Sequence, residues 1–122
     1  MANKDDVGRF GEQLATDYLI AAGLSVLERN WRGTRGELDA ITLDGQTLVA
    51  VEVKTRSGLK FGHPAAGVTE AKLARIRRLT GEWITHHGAA HRGQFTDIRI
   101  DVVAITLRPD ADPVIEHLRG VS

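Results

Sequence analysis

The stretch "GELDAITLDGQTLVAVEVKTR", Gly36 to Arg56, sets Glu37, Asp39, Glu52 and Lys54 among some of the most apolar residues of the chain. Charged side chains are rarely withdrawn from water without a partner or a metal, because desolvating each costs several kcal/mol. Hard cations such as magnesium take carboxylate, carbonyl and water oxygens, and magnesium keeps several of its waters. Asp39 and Glu52 are therefore candidate ligands for Mg2+ or Mn2+. Lys54, two residues on, would project beside the ion, where an amine can orient or deprotonate water or steady negative charge at phosphorus. These are the parts needed for metal-assisted phosphodiester hydrolysis.

A hairpin must position them. Glu37–Leu43 and Gln46–Thr55 read as strands joined at Asp44-Gly45, one of the strongest short hairpin signals. A turn centred there sets Glu37 opposite Glu52 and Asp39 opposite Ala50. Strand side chains alternate, so Glu37, Asp39, Ala50, Glu52 and Lys54 share one face. Leu38, Ala40, Val49, Val51 and Val53 take the other, which packs on a helix. Asp39 and Glu52 become diagonal neighbours, roughly 7–8 Å apart at the backbone and closer at their carboxylates. Alternating charges on the wet face of a strand give the same pattern, and E-x-K alone does not separate a metal site from a cross-strand salt-bridge patch.

The flanking elements follow from periodicity. Asp5 or Asp6 can cap a helix with Val7, Phe10, Leu14 and Tyr18 facing inward and Gly23 ending it. Leu24–Trp31 reads as a first strand. Arg56–Gly67 reads as a loop, within which Gly62 to Gly67, with His63 and Pro64, would close over a substrate. Thr69 with Glu70 opens a helix to about His87, with Val68, Leu73, Ile76, Leu79 and Trp83 near one face and Arg75 and Arg78 on its flank. Asp97–Leu107 is a β-branched strand, and Val114–Leu118 a short one after Pro109 and Pro113. A strand, a long helix and a strand imply a right-handed crossover to a parallel neighbour. The fold class is therefore α/β: a mixed central sheet of an antiparallel meander and a parallel strand, with helices packed on it.

The 122 residues suit a single domain over 1–122, at 42% hydrophobic and 26% charged. Zero cysteines exclude disulfides and thiolate zinc sites and fit a reducing cytoplasm. "MANKDDVGRF" lacks a signal-peptide core, and no apolar run approaches the roughly 20 residues that span a bilayer. Net charge is zero but uneven: residues 53–93 carry eight basic and two acidic groups, a net +6, beside an acidic first half with five basic and nine acidic over 1–52. Basic segments attract phosphate backbones and acidic clusters attract cations, although a solvated helix face explains such a segment too.

The stretches "GRFGEQLATDYLIAAG", "NWRGTRGELDAITLDGQTLVAVEVKTR", "FGHPAAGVTEAKLARIRR" and "IDVVAI" resemble the YraN-type family of small uncharacterised bacterial proteins. An acid at the end of one strand followed by E-V-K on the next resembles the PD-(D/E)xK superfamily, and the YraN type is similar to archaeal Holliday-junction resolvases. The resemblance implies a restriction-endonuclease-like fold, with Asp39, Glu52 and Lys54 as its metal-and-catalysis set. It implies that Glu12 is the first-helix acid that resolvase-like members add near the metal. Leu38 stands where the superfamily's proline would precede Asp39.

Among the other candidates, Glu37 reads as a partner for Arg35 or Arg56 ahead of a supporting metal ligand. Asp101, inside an apolar strand, reads as a structural acceptor or as an anchor for the first helix near the site. Thr55 and Arg56, directly after the E-V-K segment, suit a phosphate contact, and Lys72, Arg75 and Arg78 could track a nucleic-acid backbone. His86, His87 and His91 gather at a glycine-rich helix end, where the dipole favours cations, and are not read as a zinc site. Two functions result: a Mg2+- or Mn2+-dependent endonuclease acting on branched or structured DNA (DNA ahead of RNA), or a non-catalytic nucleic-acid-binding or interaction module on the same fold. A symmetric homodimer would suit a junction cutter, and no membrane partner is expected.

Overall fold

A computed structural model describes residues 4–57 and 67–121. Helix α1 is Lys4–Ala21; strands β1, β2 and β3 are Ser25–Gly33, Gly36–Asp44 and Thr47–Ser57. Helix α2 is Glu70–His87, a single 3-10 turn covers Gly88–His91, and β4 and β5 are Asp97–Arg108 and Ala111–Leu118. The five strands form one sheet in sequence order. All neighbours are antiparallel except β3 and β4, which the α2 crossover makes parallel. The mixed α/β architecture is thus the expected one. The loop proposed to close over a substrate falls mostly at residues 58–66, outside the described residues.

Two local expectations are corrected. The β2–β3 turn has Gly45 and Gln46 at its centre, because Gly45, at φ 60°, supplies the left-handed first position that a two-residue hairpin of this kind requires. Asp44 then pairs with Thr47 and Ala40 with Val51, a slide of two residues from the expected alignment. A slide of two preserves which side chains share a face but moves Glu52, rather than Ala50, across from Asp39. In addition, α1 already runs at Lys4, so Asp5 and Asp6 stand in its first turn, where the macrodipole favours acids, rather than at its cap.

Both faces of the sheet are covered. Ile41, Leu48, Ala50 and Ile100 pack under α2 against Leu73, Ile76, Leu79 and Trp83. Ala40, Val49, Val51, Val103 and Ile105 pack under α1 against Ala15 and Leu19. Leu38 was expected beside Ala40 but joins the α2 side, so strict alternation breaks at Asp39. The inward stripe of α1 is also rotated: Gly11, Ala15 and Leu19 are buried while Phe10 is 46% exposed. The cause is close approach, since a Cβ on Gly11 would fall onto the Thr55 side chain of β3. Small residues at i and i+4 let the helix axis descend there, which turns the bulkier Phe10 outward.

Helix α2 is fixed at both ends. The Thr69 hydroxyl accepts the Lys72 N–H at 3.1 Å as an N-cap. Further along, the Trp83 indole donates to Glu28 of β1 at 3.0 Å, and the Thr34 N–H and hydroxyl both donate to Glu82. Beyond them His87 and His91 lie against Trp83, and His86 and His87 against Trp31. The histidines thus finish an aromatic cluster that closes this end of the core.

Candidate metal and catalytic centre

Pairing of β2 with β3 ends at Ala40–Val51. One residue further the strands part, and the Asp39 carboxylate takes the Val53 N–H at 2.8 Å, replacing a ladder bond with a side-chain one. This splayed end of the sheet lies under the N-terminal half of α1 and the first turn of α2. Asp39, Glu52 and Lys54 are therefore presented by the sheet, Glu12 by α1 and Lys72 by α2.

The electrostatics of the opening are dominated by Asp39. Burial first, then the charge of Glu52, raise its pKa from 3.8 to about 7, with smaller contributions from Glu12 and Glu37. The Val53 hydrogen bond opposes the rise without cancelling it. Among the described residues no cation is paired with Asp39, so three acids act on a half-buried fourth. Glu37 is itself held loosely by Arg32 at 3.6 Å, a partner outside the expected pair of Arg35 and Arg56. Among the described residues no three His, Cys, Asp or Glu side chains are gathered into a complete metal cage. Asp39 and Glu52 flanking one opening, with carbonyls and water to fill the remaining positions, match the donor set that magnesium or manganese accepts.

Lys54 stands next to this group. Its pKa is lowered by desolvation and by the charges of Lys72 and Arg56, with Glu52 pulling the other way. Its ammonium rests against the backbone of Gly67, where a Cβ would collide with it. Lys72, one of three basic residues expected to track a nucleic-acid backbone, lies beside Glu52. Its Nζ lies 3.6 Å from Glu52 Oε1, with the two side chains 28% and 15% exposed. Arg75 and Arg78 are exposed, and Arg75 lies along Gly36, so neither joins the acids. Thr55 is covered by Gly11 of α1, which makes it a packing residue in this arrangement rather than an open phosphate contact. Arg56 stays at the opening, near enough for its charge to act on Lys54.

Asp101 is a buried acid of the opposite kind. It is fully enclosed, yet the Arg99 guanidinium donates to it at 2.8 and 3.0 Å, the Gly120 N–H at 3.0 Å, and His117 Nε2 sits 2.7 Å away. Desolvation pushes its pKa up, but these bonds and the Arg99 charge outweigh burial and hold it below the usual carboxylate range. Arg99 also reaches Asp44, and His117 Nδ1 contacts the Tyr18 hydroxyl at 3.0 Å. This chain ties β2, β4, β5 and α1 together, which makes Asp101 an anchor for the first helix. Its partners Arg99 and His117 were not singled out from the sequence, and Tyr18 was read only as an inward-facing helix residue. Arg99 alone was open to detection, as a basic residue two positions from Asp101 on the same strand face.

The class defined by these observations is a small mixed α/β protein with an acid–lysine centre where its sheet opens. Within that class the chain belongs to the uncharacterised protein family UPF0102, whose sequence model matches residues 11–105. It is 52% identical to a UPF0102 protein of Beutenbergia cavernae over 121 residues, covering 99% of each chain. It is 50% identical to one from Streptomyces coelicolor over 117 residues, covering 95% of this chain and 88% of the relative. A third, from Acidothermus cellulolyticus, is 46% identical over 123 residues, covering 96% and 93%. Among the described residues no helix is long and apolar enough to cross a membrane.

Proposed function

We propose that this protein is a Mg2+- or Mn2+-dependent endonuclease of the PD-(D/E)xK type that hydrolyses phosphodiester bonds in branched or structured DNA. The observation that carries the reading is the state of Asp39. A half-buried carboxylate is pressed by Glu52, Glu12 and Glu37, with no ion pair to it among the described residues and a lysine alongside. Perturbed acids beside a catalytic-type amine in an opening are the mark of a site kept for chemistry rather than for stability.

Asp39 and Glu52 would hold the ion, with Glu12 close enough to act on it electrostatically. A divalent cation supplies Lewis-acid stabilisation of the charge that develops on the phosphoryl oxygens. In hydrolysis a water oxygen bonds to phosphorus, one ester P–O bond breaks, and the leaving oxygen gains a proton. Lys54 is placed to take part in that proton traffic, because its lowered pKa eases loss of its proton. Arg56 and Lys72 put positive charge where a phosphate backbone would enter. A homodimer of such centres would suit a four-way junction, whose two strands are cut in related geometry.

The test is cleavage of four-way junctions, flaps and duplex by purified protein with Mg2+ or Mn2+, comparing wild type with Asp39→Ala and Lys54→Ala. Both substitutions should abolish cutting while DNA binding survives. Salt-sensitive binding with no cleavage of any DNA or RNA by the wild type, and no manganese uptake, would replace this reading with that of a non-catalytic binding module.

A further inference from the structure

We propose that Lys72 is the built-in counter-cation of Glu52, which leaves that carboxylate when a divalent ion binds and then faces the phosphate of a nucleic-acid strand. The inference deepens the nuclease reading and rests on it.

Two observations converge. First, Lys72 occupies the third position of α2, its N–H bonded to the Thr69 cap. The macrodipole there favours anions, and Glu70 obeys that preference while Lys72 defies it. Something beyond the helix must hold a cation in place, and Glu52 is what its ammonium meets. Second, the contact is loose. At 3.6 Å it is an ion pair without a formed hydrogen bond, so it can be exchanged without breaking a directional bond. Among the described residues Lys72 pairs with Glu52 and none pairs with Asp39, so the two acids are only half neutralised without an ion. An ion between Asp39 and Glu52 removes the reason for Lys72 to stay, and the nearest anion is then the incoming backbone.

Calorimetric titration with manganese at neutral pH compares wild type, Lys72→Gln, Lys72→Arg and Asp39→Asn, each first shown to be folded by circular dichroism. Removing a competing cation should tighten manganese binding in Lys72→Gln by about fivefold, the scale of a partly exposed ion pair. Lys72→Arg should bind as wild type does, and Asp39→Asn should lose binding. In parallel, Ca2+ should raise wild-type affinity for a labelled four-way junction, and Lys72→Gln should lose that increase. A purely structural lysine would move thermal stability but would not tighten metal binding. Unchanged or weaker manganese binding by Lys72→Gln, with the wild type binding normally, overturns this proposal and leaves the nuclease reading standing. A wild type that binds no manganese overturns both.

Discussion

Replacing Asp39 with asparagine should make the metal-free protein more stable at neutral and alkaline pH. The Asp39 pKa rises from 3.8 to about 7 on folding, chiefly through burial and then through Glu52. Each unit corresponds to 1.36 kcal/mol, so the fully ionised side chain opposes folding by roughly 4 kcal/mol. Solvent at the outer edge of the opening screens part of this, leaving about 2 kcal/mol for the substitution to recover. The amide retains an oxygen for the Val53 N–H and gains an N–H2 to donate to neighbouring carboxylates. Because the folded pKa is the raised one, the group's favourable contribution is complete below about pH 4 and lost as pH climbs through 7. Wild type and variant should therefore melt together near pH 4 and diverge toward pH 8, where the variant gains roughly 5–10 °C in a domain of this size. Thermal denaturation in chelator across that range is the assay. Adding manganese should raise the melting temperature of the wild type and leave the variant unmoved. A variant equal to or less stable than wild type at pH 8 would refute the reasoning, because Asp39 would then be an ordinary supported carboxylate.

Gly11→Ala sets two effects against each other. The helix gains about 1 kcal/mol of propensity, but the new methyl meets Thr55, and overpacking of that kind costs about 1–3 kcal/mol. Denaturant unfolding should show a net loss, and adding Thr55→Ala should reverse it. Asp101→Asn should destabilise by about 3 kcal/mol, because it turns an amide toward Arg99 and the Gly120 N–H. The Asp101 pKa is lowered on folding, so its contribution is present above about pH 4 and should fade as pH falls further, which an acid titration of both proteins reads directly. Gly67→Ala would push aside only the end of the flexible Lys54 side chain. Stability should change by less than about 0.5 kcal/mol, while cleavage falls roughly tenfold or more and manganese binding holds.

Element order was legible because each element carries its own period and punctuation. The alternating residues after Gly36, the Thr69 cap and the β-branched run from Asp97 are all local signals. The hairpin register was not, since Asp44-Gly45 and Gly45-Gln46 both offer a turn with Gly45 left-handed, and what separates them is that Asp44 keeps a strand conformation and pairs with Thr47. The inward face of α1 was misjudged for a related reason. Hydrophobic periodicity selects Phe10, whereas close approach selects Gly11, and that approach depends on Thr55, far along the chain. Parity alone sets Glu52 and Lys54 on one face, whereas Asp39 stands where the alternation of β2 breaks. Lys72 could not be separated from Arg75 and Arg78 without knowing how α2 is rotated over β3.

Asp39 and Asp101 show why burial of a charge does not by itself mark a site. Asp101 is the more deeply enclosed of the two, yet three neighbours satisfy it through four contacts and its pKa falls. Asp39 keeps some contact with solvent, yet its pKa rises, because burial and acidic neighbours outweigh the one hydrogen bond it has among the described residues. The same sheet therefore contains one acid whose surroundings are complete and another with no ion pair among the described residues. No buried side-chain polar atom among the described residues is without a partner, so the deficiency at Asp39 is one of charge, not of hydrogen bonding. An arginine placed as Arg99 is placed for Asp101 would have removed it. Retaining the deficit makes sense if a cation arrives from outside, and an ion there would lower the Asp39 pKa while adding stability. The measurable form of that statement is a manganese-induced rise in melting temperature that is largest where Asp39 must be ionised, near pH 8, and vanishes near pH 4.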